Sequence, residues 1–127
     1  MKYSNISKMT NIIDRTGHYS IAPTYDLNVT AKMIGDSLGI SLNFDDSGFY
    51  EEYPAFTGKG KGFDIALLGI PKPEDDLSEP PTDTYNLRIT VSQVFKGLET
   101  TDLIDAMILK SLCVEAGLIC TIEGWGT

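Results

Sequence analysis

The residues of this chain with most to offer a ligand are carboxylates interleaved with aromatic side chains. Between Asp36 and Asp83 lie eleven acids against Lys59, Lys61 and Lys72, so this stretch alone nets −8. The residues before it net +2 and those after it −2, which leaves the whole chain at −8. Phe49, Tyr50, Tyr53 and Phe56 sit among the acids. Complementary potential raises encounter rates and penalises wrong partners, so a block of this composition suits a basic protein partner. The candidate contact set is Asp45, Asp46, Tyr50, Glu51, Glu52, Tyr53, Glu74, Asp75, Asp76, Glu79 and Asp83. Aromatic side chains beside carboxylates make good binding centres. The plainer alternative is a solvated acidic face that serves solubility.

Catalytic and metal-binding patterns are weaker. His18 is the one histidine, and with Cys113 and Cys120 it could supply three zinc ligands at most. As a general base it would need a nucleophile and an orienting acid. Asp45-Asp46-Ser47-Gly48 lacks the alternating acids and the later glutamate of a calcium loop, and reads as a turn. Glu74-Asp75-Asp76 could gather a hard cation, but consecutive carboxylates on a proline-stiffened loop point in different directions. Gly58-Lys59-Gly60-Lys61-Gly62 matches neither nucleotide-binding glycine motif and runs into a strand instead of opening a helix. Paired-carboxylate catalysis would need one acid raised by apolar burial, and these acids fall in turn and loop contexts. The expectation is a binding protein with no catalytic residue, metal or cofactor.

A chain of 127 residues with 42% hydrophobic and 22% charged residues is of ordinary domain size and composition. Ten scattered basic residues do not make a phosphate-neutralising surface, which argues against direct nucleic-acid and anionic-membrane binding. No apolar run reaches the roughly 18 residues of a membrane helix, and the N-terminus has no apolar core of signal-peptide length. The expected location is cytoplasmic, with Cys113 and Cys120 as buried reduced thiols.

The elements that must position the acids follow from periodicity. Residues 1–17 read as a flexible N-terminal tail able to add a short strand, followed by one domain over 18–127. His18 to Tyr25 suggests a strand that Pro23 confines to an edge or an end. Leu27, Ala31, Ile34 and Leu38 form a helical stripe, capped by Asp26 or Asn28 and ended by Gly39. Ile40, Leu42 and Phe44 alternate, the turn at 45–48 follows, and Phe49 to Phe56 reads as the returning strand. A glycine-rich turn at 58–62 leads into a central strand over Phe63 to Ile70. Pro71 to Asp83 is a long loop. Tyr85, Leu87, Ile89 and Val91 against Asn86, Arg88, Thr90 and Ser92 give the cleanest alternation in the chain, a strand with one wet face. A second helix opens at Thr100 or Thr101 with Leu103, Ile104, Met107, Ile108, Leu112 and Ala116 as its core stripe, and Gly117 closes it. Leu118 to Ile122 is the last strand. The order β-α-β-β-β-β-α-β predicts an α+β two-layer sandwich, a mixed and mainly antiparallel sheet with two helices on one face.

In size, acidity and element order, and in the segment GFDIALLGIPKPEDDLSEPPTDTYNLRI from Gly62 to Ile89, the chain resembles the small acidic immunity proteins that bacteria encode beside polymorphic or contact-dependent growth inhibition toxins. That resemblance implies a non-catalytic inhibitor that occludes the active site of a basic cognate toxin, such as a nuclease. The alternative is a phage or mobile-element protein that mimics nucleic-acid charge to block a host defence or regulatory protein. An enzyme acting on a small cationic or metal-bound substrate is a third reading.

Overall fold

The computed structural model describes residues 12–60, 62–94 and 99–126. Six strands form one antiparallel sheet in the order β2-β3-β4-β5-β1-β6, with β1 Ile12–Ile21, β2 Asn43–Asp45, β3 Ala55–Gly60, β4 Phe63–Leu68, β5 Tyr85–Val94 and β6 Cys120–Gly126. Helix α1 is Leu27–Leu38 and α2 is Glu99–Ile108, continued as a π-helical segment Leu109–Glu115. The element order is the one expected, and the class is α+β. Every strand pairing is antiparallel, so the sheet has no mixed component among the described residues.

The sheet is built on parity. A strand points successive side chains to opposite faces, and here odd-numbered residues of β1 from Gly17 to Ile21, of β4 and of β5 from Tyr85 to Val91 face the helices. Tyr19, Ile21, Ile65, Leu67, Tyr85, Leu87 and Ile89 are buried in one cluster with Ala31 and Ile34 of α1 and with Ile108, Leu112 and Leu118. Helix α1 forms where expected. Asp26 accepts from the Val29 amide at 3.0 Å, and Gly39 adopts a left-handed φ of 71° at the C-cap, a conformation that glycine takes without a Cβ penalty. Thr30, fully buried, satisfies its hydroxyl on the Asp26 carbonyl at 2.9 Å.

Four sequence expectations change. First, β1 begins at Ile12, so residues 12–17 belong to the sheet; residues 1–11 of the expected tail lie outside the described residues. The β1 side chains Thr16 and His18 look away from the core, which hides the strand from an apolar-pattern reading. Second, the expected strand over Phe49 to Phe56 starts only at Ala55, after a compact connection in which Glu51 holds a positive φ of 57°. Third, Gly58 and Gly60 are strand residues, and β3 turns into β4 between Gly60 and Phe63. A Cβ on Gly58 would come within 2.4 Å of the Ser41 carbonyl, so that glycine serves close backbone approach and not turning. Fourth, the core stripe of α2 is narrower than expected: Ile104, Ile108, Leu112 and Ala116 pack in the core, but Leu103 and Met107 do not.

Leu103 is 71% exposed and Met107 43% exposed, whereas Ile108 and Leu112 are fully buried. The helix is apolar on two sides, and a polar contact chooses between them. Asp105 Oδ1 accepts from the buried Tyr19 hydroxyl at 2.6 Å and from Trp125 Nε1 at 2.9 Å, which turns the 101, 105, 108 and 112 side of the helix to the sheet. Gly17, paired with Trp125, leaves room for the indole, since a Cβ there would lie 2.7 Å from the ring.

Cys113 and Cys120 are free thiols, each half-buried, with Cys113 Sγ donating to the Cys120 carbonyl at 3.7 Å.

Adjacent substitutions on α2 therefore separate the two faces. Ile108→Asp places an unpaired charge in the core and is expected to cost at least about 3 kcal/mol, while Met107→Asp should stay within about 1 kcal/mol. Denaturant unfolding of both variants checks the assignment, and equal losses would contradict it.

Stability should also fall at alkaline pH. Burial, the hydrogen bond to Asp105 and the Asp105 charge hold the Tyr19 hydroxyl protonated well above the ordinary value of 10.0. Burial first, then the neighbouring Cys113, pushes the Cys120 thiol up from 9.0 to about 12. Both folded-state values are raised, so the stabilisation is complete below the unfolded values and is lost as pH rises through the folded ones. Unfolding midpoints should decline from about pH 9 upward, with Cys120→Ala flattening the onset and Tyr19→Phe the part above pH 10. Unchanged pH profiles in both variants would sink this account.

Candidate functional site

The connection between β2 and β3 and the proline-rich loop after β4 converge on one cleft. It encloses about 390 Å³ and is lined by Asp45, Asp46, Tyr50, Glu51, Glu52, Tyr53 and Asp75, with Phe44, Pro54 and Ile70 as apolar surface and Lys72 as its basic residue. Seven of the eleven candidate contact residues thus share one concave site. They arrive there through local turn chemistry. Asp45 Oδ1 accepts from the Ser47 amide at 3.0 Å, and Ser47 Oγ accepts from the Phe49 amide at 3.1 Å, the side-chain-to-backbone pattern that starts a turn. The Ser47 amide, then its hydroxyl, lowers the Asp45 carboxyl from 3.8. Backbone bonds from Glu51 to Gly48 and from Tyr53 to Tyr50, each 3.0 Å, tighten the rest. Gly69 donates to the Pro54 carbonyl at 2.7 Å and ties the connection to the end of β4.

Because 46–54 is a turned connection, the aromatics do not alternate as strand residues. Tyr50 and Tyr53 are both half-buried in the cleft wall. Phe49 is 76% exposed and meets Tyr50 edge to face, with ring centroids 4.8 Å apart.

The remaining four candidates stand apart. Glu74 lies in the short 3₁₀ turn Pro73–Asp75, and Glu79 and Asp83 are exposed on the loop. Asp76 organises its own loop: its carboxylate accepts from the Ser78 amide at 3.0 Å, the Thr82 amide at 2.7 Å and the Thr82 hydroxyl at 3.1 Å. The Thr82 amide, followed by the Ser78 amide, holds the Asp76 carboxyl below its ordinary 3.8.

Sequence reasoning missed a second cavity. On the face of the sheet away from the helices, β1, β5 and the β3–β4 hairpin form a hollow of about 530 Å³ that includes His18, Arg88, Thr16, Thr90 and Lys59 and is walled by Phe49 and Tyr50. Arg88 stands directly opposite His18 on β1 and Ala66 on β4. The signal available was the wet face of the 85–91 alternation, which holds Asn86, Arg88 and Thr90; the first part of its partner strand, through Gly17, was concealed in the expected tail.

Among the described residues no three His, Cys, Asp or Glu side chains gather as metal ligands, and no helix is long and apolar enough to cross a membrane. Comparison with protein-family models, curated proteins and solved structures finds no match for the chain.

The division among the loop acids is testable. Asp76→Ala should increase proteolytic cleavage within 71–83, whereas Asp75→Asn should leave cleavage unchanged. Since the Asp76 value is lowered in the fold, its contribution holds above pH 3.8 and is lost as pH falls through the folded value. Equal cleavage of the two variants at neutral pH would show that Asp76 does not order the loop.

Proposed function

We propose that this chain is a non-catalytic acidic inhibitor, an immunity protein that binds a basic toxin domain such as a nuclease and occludes its active site. The observation that carries the reading is the cleft itself. Asp45, Asp46, Glu51, Glu52 and Asp75 surround a floor that includes Tyr50, Tyr53, Pro54 and Ile70. Carboxylates around an aromatic and aliphatic floor suit an inserted lysine or arginine side chain: the acids match its charge and steer encounter, while the tyrosines cover its stem. Interfaces of this kind concentrate affinity in buried aromatic anchors and leave rim charges to govern association rate. Occlusion requires no proton transfer, which fits carboxylates that sit in turns open to water.

The alternative, a mimic of nucleic-acid charge directed at a host defence or regulatory protein, uses the same acids against a different basic partner. A toxin gene immediately upstream favours the first reading, and its absence beside a phage or mobile element favours the second.

Two sets of variants test the assignment on the basic protein captured with this chain from its native host. Neutralising Asp46, Glu51, Glu52 and Asp75 together should slow association and flatten its salt dependence with little change in unfolding midpoint. Tyr50→Ala or Tyr53→Ala should instead accelerate dissociation, at a cost of about 2 kcal/mol or more for a central anchor. Unaltered capture and kinetics in the quadruple variant would remove the cleft from the interface.

A further inference from the structure

The open face of the sheet carries cationic groups in a chain dominated by acids. Arg88, half-buried in the middle strands, lies between Ala66 and His18 in register. Its Nε donates to Asn86 Oδ1 at 2.8 Å, which fixes the plane of the guanidinium. Among the described residues no carboxylate forms an ion pair with it: Asp64, the acid that lines this cavity, pairs with Lys59 at 3.4 Å. A partly buried cation is costly without a counter-charge, and a guanidinium fork matches the two oxygens of a carboxylate or phosphate.

The neighbouring row supplies a further donor. Thr16 and Thr90 share a hydroxyl–hydroxyl bond of 3.0 Å. Only one of the two hydrogens can lie in that bond, so the pair retains one hydroxyl hydrogen for a ligand. The cavity volume of about 530 Å³ falls in the range of small-molecule sites, which combine an apolar wall with a few convergent polar groups. Here the wall is the edge-to-face pair Phe49 and Tyr50, and Phe49 remains 76% exposed.

We infer that this cavity binds a small organic oxyanion, with a carboxylate or phosphate group held by Arg88 and His18 and an apolar, preferably aromatic, body covering Phe49 and Tyr50. The inference does not depend on the acidic cleft or on the nature of a protein partner. The hydroxyl hydrogen left free in the Thr16–Thr90 pair donates to the oxyanion edge, while Lys59 stays paired with Asp64 in the cavity lining.

The chain has one histidine and one tryptophan, which makes NMR titration of the whole protein direct. The His18 ring signals report the cavity, and the Trp125 indole, bonded to Asp105 beside α2, is the internal control. The probes are benzoate, phenyl phosphate, inorganic phosphate and the neutral benzamide. Saturable shifts of the His18 ring with benzoate or phenyl phosphate, a still Trp125 indole and binding of the aromatic anion about tenfold tighter than inorganic phosphate are expected. The carboxylate and phosphate arms tell which oxyanion the site prefers. Arg88→Gln should weaken that binding by about tenfold or more. No saturable His18 shift with any anion in the wild-type protein would overturn the proposal, as would benzamide binding as tightly as benzoate or a folded Arg88→Gln protein binding as the wild type does.

Discussion

Successive side chains of a strand point to opposite faces, and the whole molecule follows from which half of β1, β4 and β5 meets the helices. Odd positions meet the helices and even positions meet the opposite face. The β1–β5 register sets Tyr19 beside Leu87 and His18 beside Arg88, so one choice fixes both the core and the cationic hollow. A slip of one residue would exchange these sets and bury Arg88 where Leu87 stands. The free-energy cost of an unpaired buried charge makes that alternative inaccessible.

Register orients the sheet, but it leaves the second helix undetermined, because α2 has apolar residues on both sides. Asp105 resolves this by accepting from Tyr19 and Trp125 with one carboxylate oxygen. Leaving the buried Tyr19 hydroxyl without an acceptor would cost about 1–3 kcal/mol, enough to select one helix face over another of similar hydrophobicity. The indole reaches Asp105 only because Gly17 has no side chain beneath it. The α2 orientation thus rests on residues from three elements that are far apart in the chain.

That dependence explains what was legible beforehand. The alternation of Tyr85 to Val91 and the stripe and caps of α1 are local patterns, and both elements formed as read. Element order and class followed from such patterns. The two strands missed or misplaced fail for physical reasons. The described inward positions of β1 before Tyr19 include Gly17, which contributes no apolar side chain to the pattern, and Phe49 to Pro54 carries strand-forming residues that the turn bonds of Asp45 and Ser47 override. The faces of α2 could not be ranked from hydrophobicity, since the deciding contact is polar and nonlocal. The candidate acids fared unevenly: those of 45–53 were gathered by their own turns with Asp75, whereas Asp76 was drawn into ordering its loop.

Charge is consequently sorted by position and not merely accumulated. The connection 46–54 carries Tyr50, which borders both cavities, with Asp45, Glu51 and Glu52 lining one, and Arg88, His18 and the Lys59–Asp64 pair lining the other. Had the acids of this connection faced Arg88, they would have neutralised it, and neither cavity would have kept its unmatched charge. On the proposed reading, keeping them apart would give a basic protein surface one attractive approach and one repulsive approach to the same molecule. Electrostatics would then set the orientation of such a partner before any contact is made, since like-charge juxtaposition penalises the wrong pose while complementarity favours the right one.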